Sequence, residues 1–119
     1  MYKPRVLFLC TGNSARSQMA QAFLRTYAGE HFDIYSAGLE PKGYILPEVL
    51  TAMQQRGIDL SGQTSKSISE YLGKLHFSHV ITVCGDASER LEFTGRVRDQ
   101  IDDRIKKSVK SQNIVSQSV

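Results

Sequence analysis

Short apolar runs along the chain predict three buried strands. Residues 6–9 form an uninterrupted β-prone run, which is typical of a strand covered on both faces of a parallel sheet. Residues 32–35 and 79–83 show the same kind of pattern. The first and third runs are each followed directly by a cysteine, Cys10 and Cys84. The pattern therefore places both thiols of the chain at strand ends.

Apolar residues at helical spacing fill the intervals between these strands. They predict a helix over 17–28 and a second over 47–57, where Pro47 suits the first turn. A weaker helix is predicted over 67–75. Because helices separate the strands, the sequence predicts an α/β fold with a parallel sheet and right-handed crossovers.

In such sheets ligands bind beyond the carboxyl ends of the strands. Cys10 and Cys84 are therefore expected at the same edge of the sheet, where a pair of thiols could react. Each cysteine taken alone is also compatible with a packed structural residue, because buried cysteines are common.

The residues that follow the first strand have the composition of an anion-binding loop. Cys10 ends the strand, turn-forming residues follow, among them Gly12 with its access to positive φ, and a helix begins near Ser17. Backbone N–H groups at the start of a helix bind anions, and the helix dipole adds to this effect. The same field favours the thiolate form of Cys10, which is the nucleophilic form.

Side chains in the loop add to this anion site. The planar guanidinium of Arg16 matches two oxygens of a tetrahedral oxyanion, and the hydroxyl of Ser14 or Ser17 could donate to the sulfur. The sequence predicts an oxyanion cradle, meaning residues 10–17, with Cys10 as nucleophile. The expected oxyanion contacts are Thr11, Gly12, Asn13, Ser14, Ala15, Arg16 and Ser17.

Composition places the chain among ordinary globular domains. It has 119 residues, 40% hydrophobic and 23% charged, with a net charge of +3. The basic residues near the end share their segment with several aspartates and lack interleaved aromatics. A solvated helix face is therefore favoured over nucleic-acid binding. The basic residues concerned are Arg104, Lys106, Lys107 and Lys110.

Membrane and metal functions receive no support from the sequence. No apolar run is long enough to span a bilayer, and no signal peptide is visible, so we expect a cytoplasmic protein that binds no membrane. Two cysteines are too few for a disulfide scaffold. His31, His76 and His79 lack ligand spacing, so no metal site is expected.

The segment from Cys10 to Ala20, CTGNSARSQMA, closely resembles the signature of thioredoxin-coupled arsenate reductases built on the low-molecular-weight tyrosine phosphatase fold. Further segments match in order, at 36–38, 57–59, 63–66, 80–84 and 96–101. The resemblance implies a three-layer sandwich with a small parallel sheet flanked by helices. One domain is expected over 1–110, followed by a polar tail over 111–119.

The resemblance also implies a reaction. Cys10 would attack arsenate held in the cradle with Arg16 and Ser17, and Cys84 would then attack the sulfur of Cys10, releasing arsenite and forming a disulfide. No bound cofactor is implied. The reductant would be an external thiol, either thioredoxin or a low-molecular-weight thiol, acting on a monomer.

Part of the family pattern is missing. The fourth strand, the third cysteine and the Asp-Pro acid loop of the family have no counterpart in this chain. They would stand between Arg90 and Leu91, which here follow each other directly. Either the gene has an internal deletion or the sequence omits a stretch; omission is favoured because the loss would damage fold and function. The cation site of some members needs acidic side chains where this chain has Gln21 and Lys66, so no potassium site is expected.

Two other functions remain open at this point. A low-molecular-weight protein tyrosine phosphatase would use the same cradle to hydrolyse phosphate monoesters, but it needs a general acid, and the acid loop is missing. A non-catalytic oxyanion-binding module would keep the cradle without the acid loop. Assays with arsenate plus a thiol donor, and with a chromogenic phosphate ester, distinguish the three functions.

Overall fold

The computed structural model describes residues 3–83 and 91–111 of the chain. Three strands and three α-helices alternate in these residues, and a short 3-10 helix, Ile68–Glu70, precedes the third strand. The elements are β1 (Arg5–Cys10), α1 (Arg16–Ala28), β2 (Asp33–Gly38), α2 (Pro47–Gln54), β3 (His79–Thr82) and α3 (Leu91–Ser111).

The strands form one parallel sheet in the order β2-β1-β3. In the register of the sheet, Leu7 of β1 lies between Tyr35 of β2 and Val80 of β3. With β1 at the centre, its carboxyl end opens between the ends of two neighbouring strands. The predicted α/β fold with a parallel sheet flanked by helices is confirmed, and no fourth strand occurs in the part of the chain that the structure describes.

The main core lies between one face of the sheet and the helices. Alternate residues of β1, Val6 and Phe8, are fully buried against α1, whose Met19 and Phe23 are equally buried. Residues of α2 and α3 complete this core. Side chains alternate between the two faces of a strand, so the neighbouring residues of β1 and β2 point away from the helices.

The opposite face of the sheet is covered by the segment that carries the 3-10 helix. Tyr35 of β2 makes edge-to-face ring contacts with Tyr71 and Phe77, at centroid distances of 5.3 and 5.4 Å. Such pairs stabilise beyond the area they bury. The sheet therefore lies between a helical layer and a thinner layer rich in aromatic residues, as the three-layer prediction requires.

A charged cluster fixes α3 against α1 and α2. Asp102 is almost fully buried on α3 and accepts hydrogen bonds from the hydroxyl of Tyr27 and from the guanidinium of Arg56. Arg56 also pairs with Asp99 at 3.1 Å, and Lys106 lies 3.4 Å from Asp102. Two elements that are distant in sequence are thus joined to α3 through one carboxylate.

The cluster changes the titration of its members. Burial works against the ionised form of Asp102, but the hydrogen bonds from Tyr27 and Arg56, with the charges of Arg56 and Lys106, together hold its pKa below the usual range. Burial, and then the hydrogen bond to Asp102, raise the pKa of Tyr27 to about 12. At neutral pH the pair is therefore a neutral phenol donating to an ionised carboxylate.

Several predicted boundaries differ from the observed ones. The strand predicted over 32–35 extends as β2 to Gly38, because the Ser-Ala-Gly segment, expected as a turn, pairs with the end of β1. The helix predicted over 67–75 is a 3-10 helix of three residues followed by turns. The second helix ends at Gln54, and the chain turns at Gly57, which has a φ of +73°.

Candidate active site

The thiol of Cys10 lies at the carboxyl end of the central strand, half-buried, with two polar contacts to its sulfur. The Oγ of Ser17 lies 2.8 Å from Sγ, and the backbone N–H of Asn13 donates to Sγ at 3.1 Å. The Nδ2 of Asn13 donates to the same Ser17 oxygen at 2.8 Å. Because Ser17 accepts from Asn13, its own proton is available for donation to the sulfur.

The turn of the cradle is made at Asn13 rather than at the glycine before it. Asn13 has a φ of +46°, whereas Gly12, which could adopt a positive φ, does not have one. Asparagine tolerates the left-handed region better than most residues. Here its side chain holds that conformation, since Oδ1 accepts the backbone N–H of Lys66 at 2.8 Å and Nδ2 donates to Ser17.

Four carbonyl groups of the cradle are bound by the segment that follows β2. The carbonyl oxygens of Cys10, Thr11, Gly12 and Ser14 accept backbone N–H groups from the segment after β2, at distances of 2.9 to 3.1 Å; the donors are Leu39, Glu40, Lys42 and Leu46. In a trans peptide the C=O and the following N–H point in opposite directions. The N–H groups of residues 11, 12, 13 and 15 follow these carbonyls and therefore point away from that segment, and the N–H of Asn13 donates to the sulfur of Cys10.

A second segment supports the cradle. The Oγ of Ser65 donates to the carbonyl of Gly12 at 3.2 Å and accepts the N–H of Gly43 at 3.1 Å. Lys66 binds the side chain of Asn13 through its backbone, and its carbonyl accepts the N–H of Gly38 at 2.8 Å. The segment 63–66 thus connects the cradle to the end of β2.

Gly38, at the end of β2, lies close against the cradle. A Cβ atom at this position would lie 2.6 Å from the carbonyl oxygen of Thr11 and 3.0 Å from the Cβ and N atoms of Asn13. The first of these distances is shorter than a carbon atom allows and the other two are tight, and two of the three atoms are backbone. The end of β2 can therefore approach the cradle only because it carries glycine.

Beside the cradle, two buried side chains and one half-buried side chain form a polar group. Ser36 donates to the Oε1 of Gln21 at 2.6 Å, and the ammonium of Lys66 lies 3.4 Å from Ser36 and donates to the carbonyl of Thr64. Partial burial lowers the pKa of Lys66. Gln21 and Lys66 stand where the cation site of some family members needs acidic side chains. Both contact Ser36, and Lys66 brings its own ammonium group to this position.

The structure brings together most of the predicted cradle residues. Cys10, Asn13 and Ser17 share a hydrogen-bonded cluster, and Arg16 is the first residue of α1, with a fully buried Nε. Thr11 is exposed, Gly12 is half-buried, and Ser14 and Ala15 are buried. Cys84 lies outside the described residues, so its distance from Cys10 stays a prediction.

Three residues that support the cradle were not singled out by the sequence: Gln18, Gly38 and Ser65. All three lie in segments that resemble the family, at 10–20, 36–38 and 63–66, but a resemblance does not say what a residue contacts. Within residues 3–83 and 91–111, no cluster of three or more metal-ligating side chains occurs, and no helix is long and apolar enough to cross a membrane.

A thiol at the floor of a strand–loop–helix cradle, in a parallel α/β fold, defines a small class of proteins. The sequence profile described as low molecular weight phosphotyrosine protein phosphatase matches residues 5–113. This chain belongs to that family.

Curated relatives of this chain include arsenate reductases. The chain is 47% identical over 102 residues to the arsenate reductase of Halalkalibacterium halodurans, covering 85% of this chain and 71% of the relative. It is 44% identical over 95 residues to the arsenate reductase of Bacillus licheniformis, covering 79% of this chain. The match spans 66% of the latter, so the chain covers slightly less than two thirds of that relative.

One alignment bears on the missing segment. The arsenate reductase of Brevibacillus brevis is 39% identical over 127 positions, which cover 88% of this chain and 93% of the relative. The aligned length exceeds the 119 residues of this chain, so the relative has positions that this chain lacks. The absence of the acid loop and third cysteine agrees with this difference in length.

Solved structures share the fold. An arsenate reductase in the phosphate-binding state superposes with a TM-score of 0.79 at 28% identity, covering 91% of this chain and 98% of that one. The thioredoxin-dependent arsenate reductase of Corynebacterium glutamicum gives 0.77 at 31% identity, covering 92% of this chain and 61% of that one.

Proposed function

We propose that this protein is an arsenate reductase that uses Cys10 as nucleophile and an external thiol as the source of electrons. The observation that carries the proposal is a thiol hydrogen-bonded to Ser17 and Asn13 in a loop whose carbonyl groups face outward, which implies a nest of inward-facing N–H groups. Such a nest fits a tetrahedral oxyanion. The names of the curated relatives favour arsenate as that oxyanion.

The proposed reaction has two steps. The thiolate of Cys10 attacks arsenic, one arsenate oxygen leaves as water, and a sulfur–arsenic bond forms. Cys84 then attacks the sulfur of Cys10, so that the sulfur–arsenic electron pair goes to arsenic. Arsenic is reduced by two electrons and leaves as arsenite, while the two thiols are oxidised to one disulfide.

The roles of the cradle follow from its geometry. The N–H groups of residues 11–15 and the guanidinium of Arg16 would hold the oxyanion, since a planar guanidinium binds two oxygens at once. Ser17 would donate to the sulfur as its charge develops. Residues 11–17 together form the proposed oxyanion site.

An external thiol must reduce the proposed Cys10–Cys84 disulfide in every cycle. Thioredoxin is the favoured donor, because a solved relative is named as thioredoxin-dependent, and a low-molecular-weight thiol is the alternative. A reducing cytoplasm would keep both cysteines available. We propose a cytoplasmic monomer with no bound cofactor.

Phosphate-ester hydrolysis is the second candidate, and the family description favours it. Both reactions use Cys10 and Arg16, but only arsenate reduction needs a second cysteine. Hydrolysis also needs an acid to protonate the leaving group. The Asp-Pro acid loop is missing from the sequence, so reduction is the stronger candidate.

Two assays test the proposal. Arsenate-dependent oxidation of NADPH is followed with thioredoxin and thioredoxin reductase, and hydrolysis of p-nitrophenyl phosphate is followed separately. We expect wild type to turn over arsenate, Cys10→Ser to lose both activities, and Cys84→Ser to lose arsenate turnover while still binding phosphate. Full arsenate turnover by Cys84→Ser would overturn its role, and hydrolysis without arsenate turnover in wild type would favour the phosphatase.

A further inference from the structure

We infer that Gln18 is a positioning residue of the oxyanion cradle, an inference that rests on the proposed oxyanion binding. Gln18 lies on α1 with no exposed surface. Its Nε2 donates at 2.9 Å to the carbonyl of Asn13 and at 2.9 Å to the carbonyl of Thr64. One buried amide thus joins the cradle to the segment 63–66.

The contact fixes one particular peptide group. The carbonyl of Asn13 and the N–H of Ser14 belong to the same peptide plane and point in opposite directions. Holding the carbonyl toward Gln18 therefore directs the N–H of Ser14 into the cradle. The other cradle carbonyls of residues 10–14 accept backbone N–H groups, whereas this one accepts from a side chain and so depends on the identity of a residue.

The orientation of the Gln18 amide is itself fixed. Its Oε1 accepts from the Nε2 of Gln63 at 2.7 Å, while the donor end faces two carbonyls. Rotating the amide by 180° would place its oxygen against both carbonyls and its NH₂ against another NH₂. Gln63 is held in turn by Arg25, whose Nη1 donates to its Oε1 at 3.1 Å.

Asn13 occupies a strained conformation, with a φ of +46°. A peptide next to a residue in the left-handed region needs outside support to keep one orientation. The N–H of the preceding peptide donates to the sulfur, the side chain of Asn13 binds Lys66 and Ser17, and Gln18 supports the following peptide. Loss of Gln18 would leave the carbonyl of Asn13 buried without this donor, a state that favours rotation of the peptide.

Gln21 provides a matched control on the same helix. It is also buried, but it donates to the carbonyl of Ile34 and accepts from Ser36, not from the cradle. Replacing either glutamine with methionine keeps the side-chain length and removes the hydrogen bonds. Both variants should be less stable than wild type, but only the Gln18 variant should also change the geometry of the cradle.

The test compares Gln18→Met, Gln21→Met and wild type by calorimetric titration with inorganic phosphate, by thermal unfolding, and by the phosphate-induced shift of the Ser14 amide resonance in ¹⁵N–¹H spectra. Both variants should unfold at lower temperature. Gln18→Met should raise the phosphate Kd by about tenfold and reduce the Ser14 shift, whereas Gln21→Met should keep the Kd within about twofold. Gln63→Met, which changes a partly exposed residue, should weaken binding by about threefold and serves if Gln18→Met does not fold.

The outcomes distinguish the positioning role of Gln18 from the proposed oxyanion binding on which it rests. A Gln18→Met protein with a wild-type Kd and Ser14 shift would overturn the positioning role while leaving the proposed function intact. Equal weakening in Gln18→Met and Gln21→Met would also overturn it, since the effect would then be structural. If wild type does not bind phosphate at all, the proposed oxyanion site is wrong and the inference falls with it.

Discussion

Single residues decide whether β2 can pack against the cradle, and the glycine at the end of β2 shows this most directly. The backbone of Gly38 lies against Thr11 and Asn13 where no Cβ atom fits. Asn13 meanwhile holds a left-handed turn with both ends of its side chain. The reactive geometry around Cys10 therefore depends on residues that need not touch the substrate.

We predict that Gly38→Ala weakens both stability and phosphate binding. The added methyl would push against two backbone atoms of the cradle, at a cost of about 1–3 kcal/mol in the free energy of unfolding. Phosphate affinity should fall at least about tenfold, because the displaced residues carry the inward N–H groups. Urea unfolding and phosphate titration measure the two effects.

Gly62→Ala is the matched control for this variant. A Cβ at Gly62 meets no atom within 4 Å, so its unfolding free energy should stay within about 0.5 kcal/mol of wild type and its phosphate affinity should be unchanged. Wild-type phosphate binding by Gly38→Ala would show that the cradle tolerates the displacement and would contradict the prediction.

At this scale the sequence predicted the functional loop and missed its support. The order Cys10, Asn13, Arg16 and Ser17 is local, so the pattern of a strand, a turn and a helix is enough to place these residues together. The contacts of Gln18, Gly38 and Ser65 join segments 25 to 53 residues apart. No local pattern specifies which residue will reach across such a distance.

At the scale of elements, the long helix α3 depends on one buried carboxylate. Asp102 is bound by Tyr27 from α1 and by Arg56 from the turn after α2. Arg56 also lies over the ring of Phe23, 5.7 Å from its centroid. The apolar face of α3, with Val97, Ile101 and Ile105, packs into the core beside this cluster.

We predict that Asp102→Asn lowers the free energy of unfolding by about 2 kcal/mol, the range measured for hydrogen bonds to charged groups. The variant keeps the size of the side chain and removes the charge that Arg56 and Tyr27 bind. Asp103→Asn is the control, because Asp103 is 62% exposed in its pair with Lys107 and should contribute less than about 1 kcal/mol. Equal effects of the two variants in urea unfolding would contradict the role of the cluster.

The sequence predicted these elements better than their ends. Periodicity identified the strands and helices because buried faces repeat at fixed spacing. The extension of β2 through Gly38 was missed because a Ser-Ala-Gly segment has the composition of a turn, and only its pairing with β1 makes it a strand. Residues 96–101, which match the family in sequence, lie within α3.

At the scale of the whole molecule, acidic side chains set the stability at low pH. The hydrogen bond from Arg98 is the largest cause that holds the pKa of Asp99 below its usual range, and the pKa of Asp102 is lowered as described above. A carboxylate whose folded-state pKa is depressed stabilises the fold above its unfolded value, about 3.9. That contribution is lost as the pH falls through the folded-state pKa.

We therefore predict that the free energy of unfolding is nearly constant from pH 7 to about pH 5 and falls below about pH 4. Asp102→Asn should be less stable than wild type at pH 7, and the two should converge as Asp102 becomes protonated in wild type. Urea unfolding at pH 7, 5, 4 and 3 measures the difference. A difference that stays constant down to pH 3 would show that the charge of Asp102 is not what stabilises the fold.

The support of the cradle by distant segments has a consequence for the newly made chain. Cys10 leaves the ribosome early, but the groups that orient its loop follow later, at residues 39–46 and 63–66. Until residue 66 has emerged and folded, the loop that carries Cys10 lacks the hydrogen bonds that hold it. Synthesis therefore separates the appearance of the cysteine from the assembly of its loop, and the oxyanion binding proposed above would report a chain that has folded at least through residue 66.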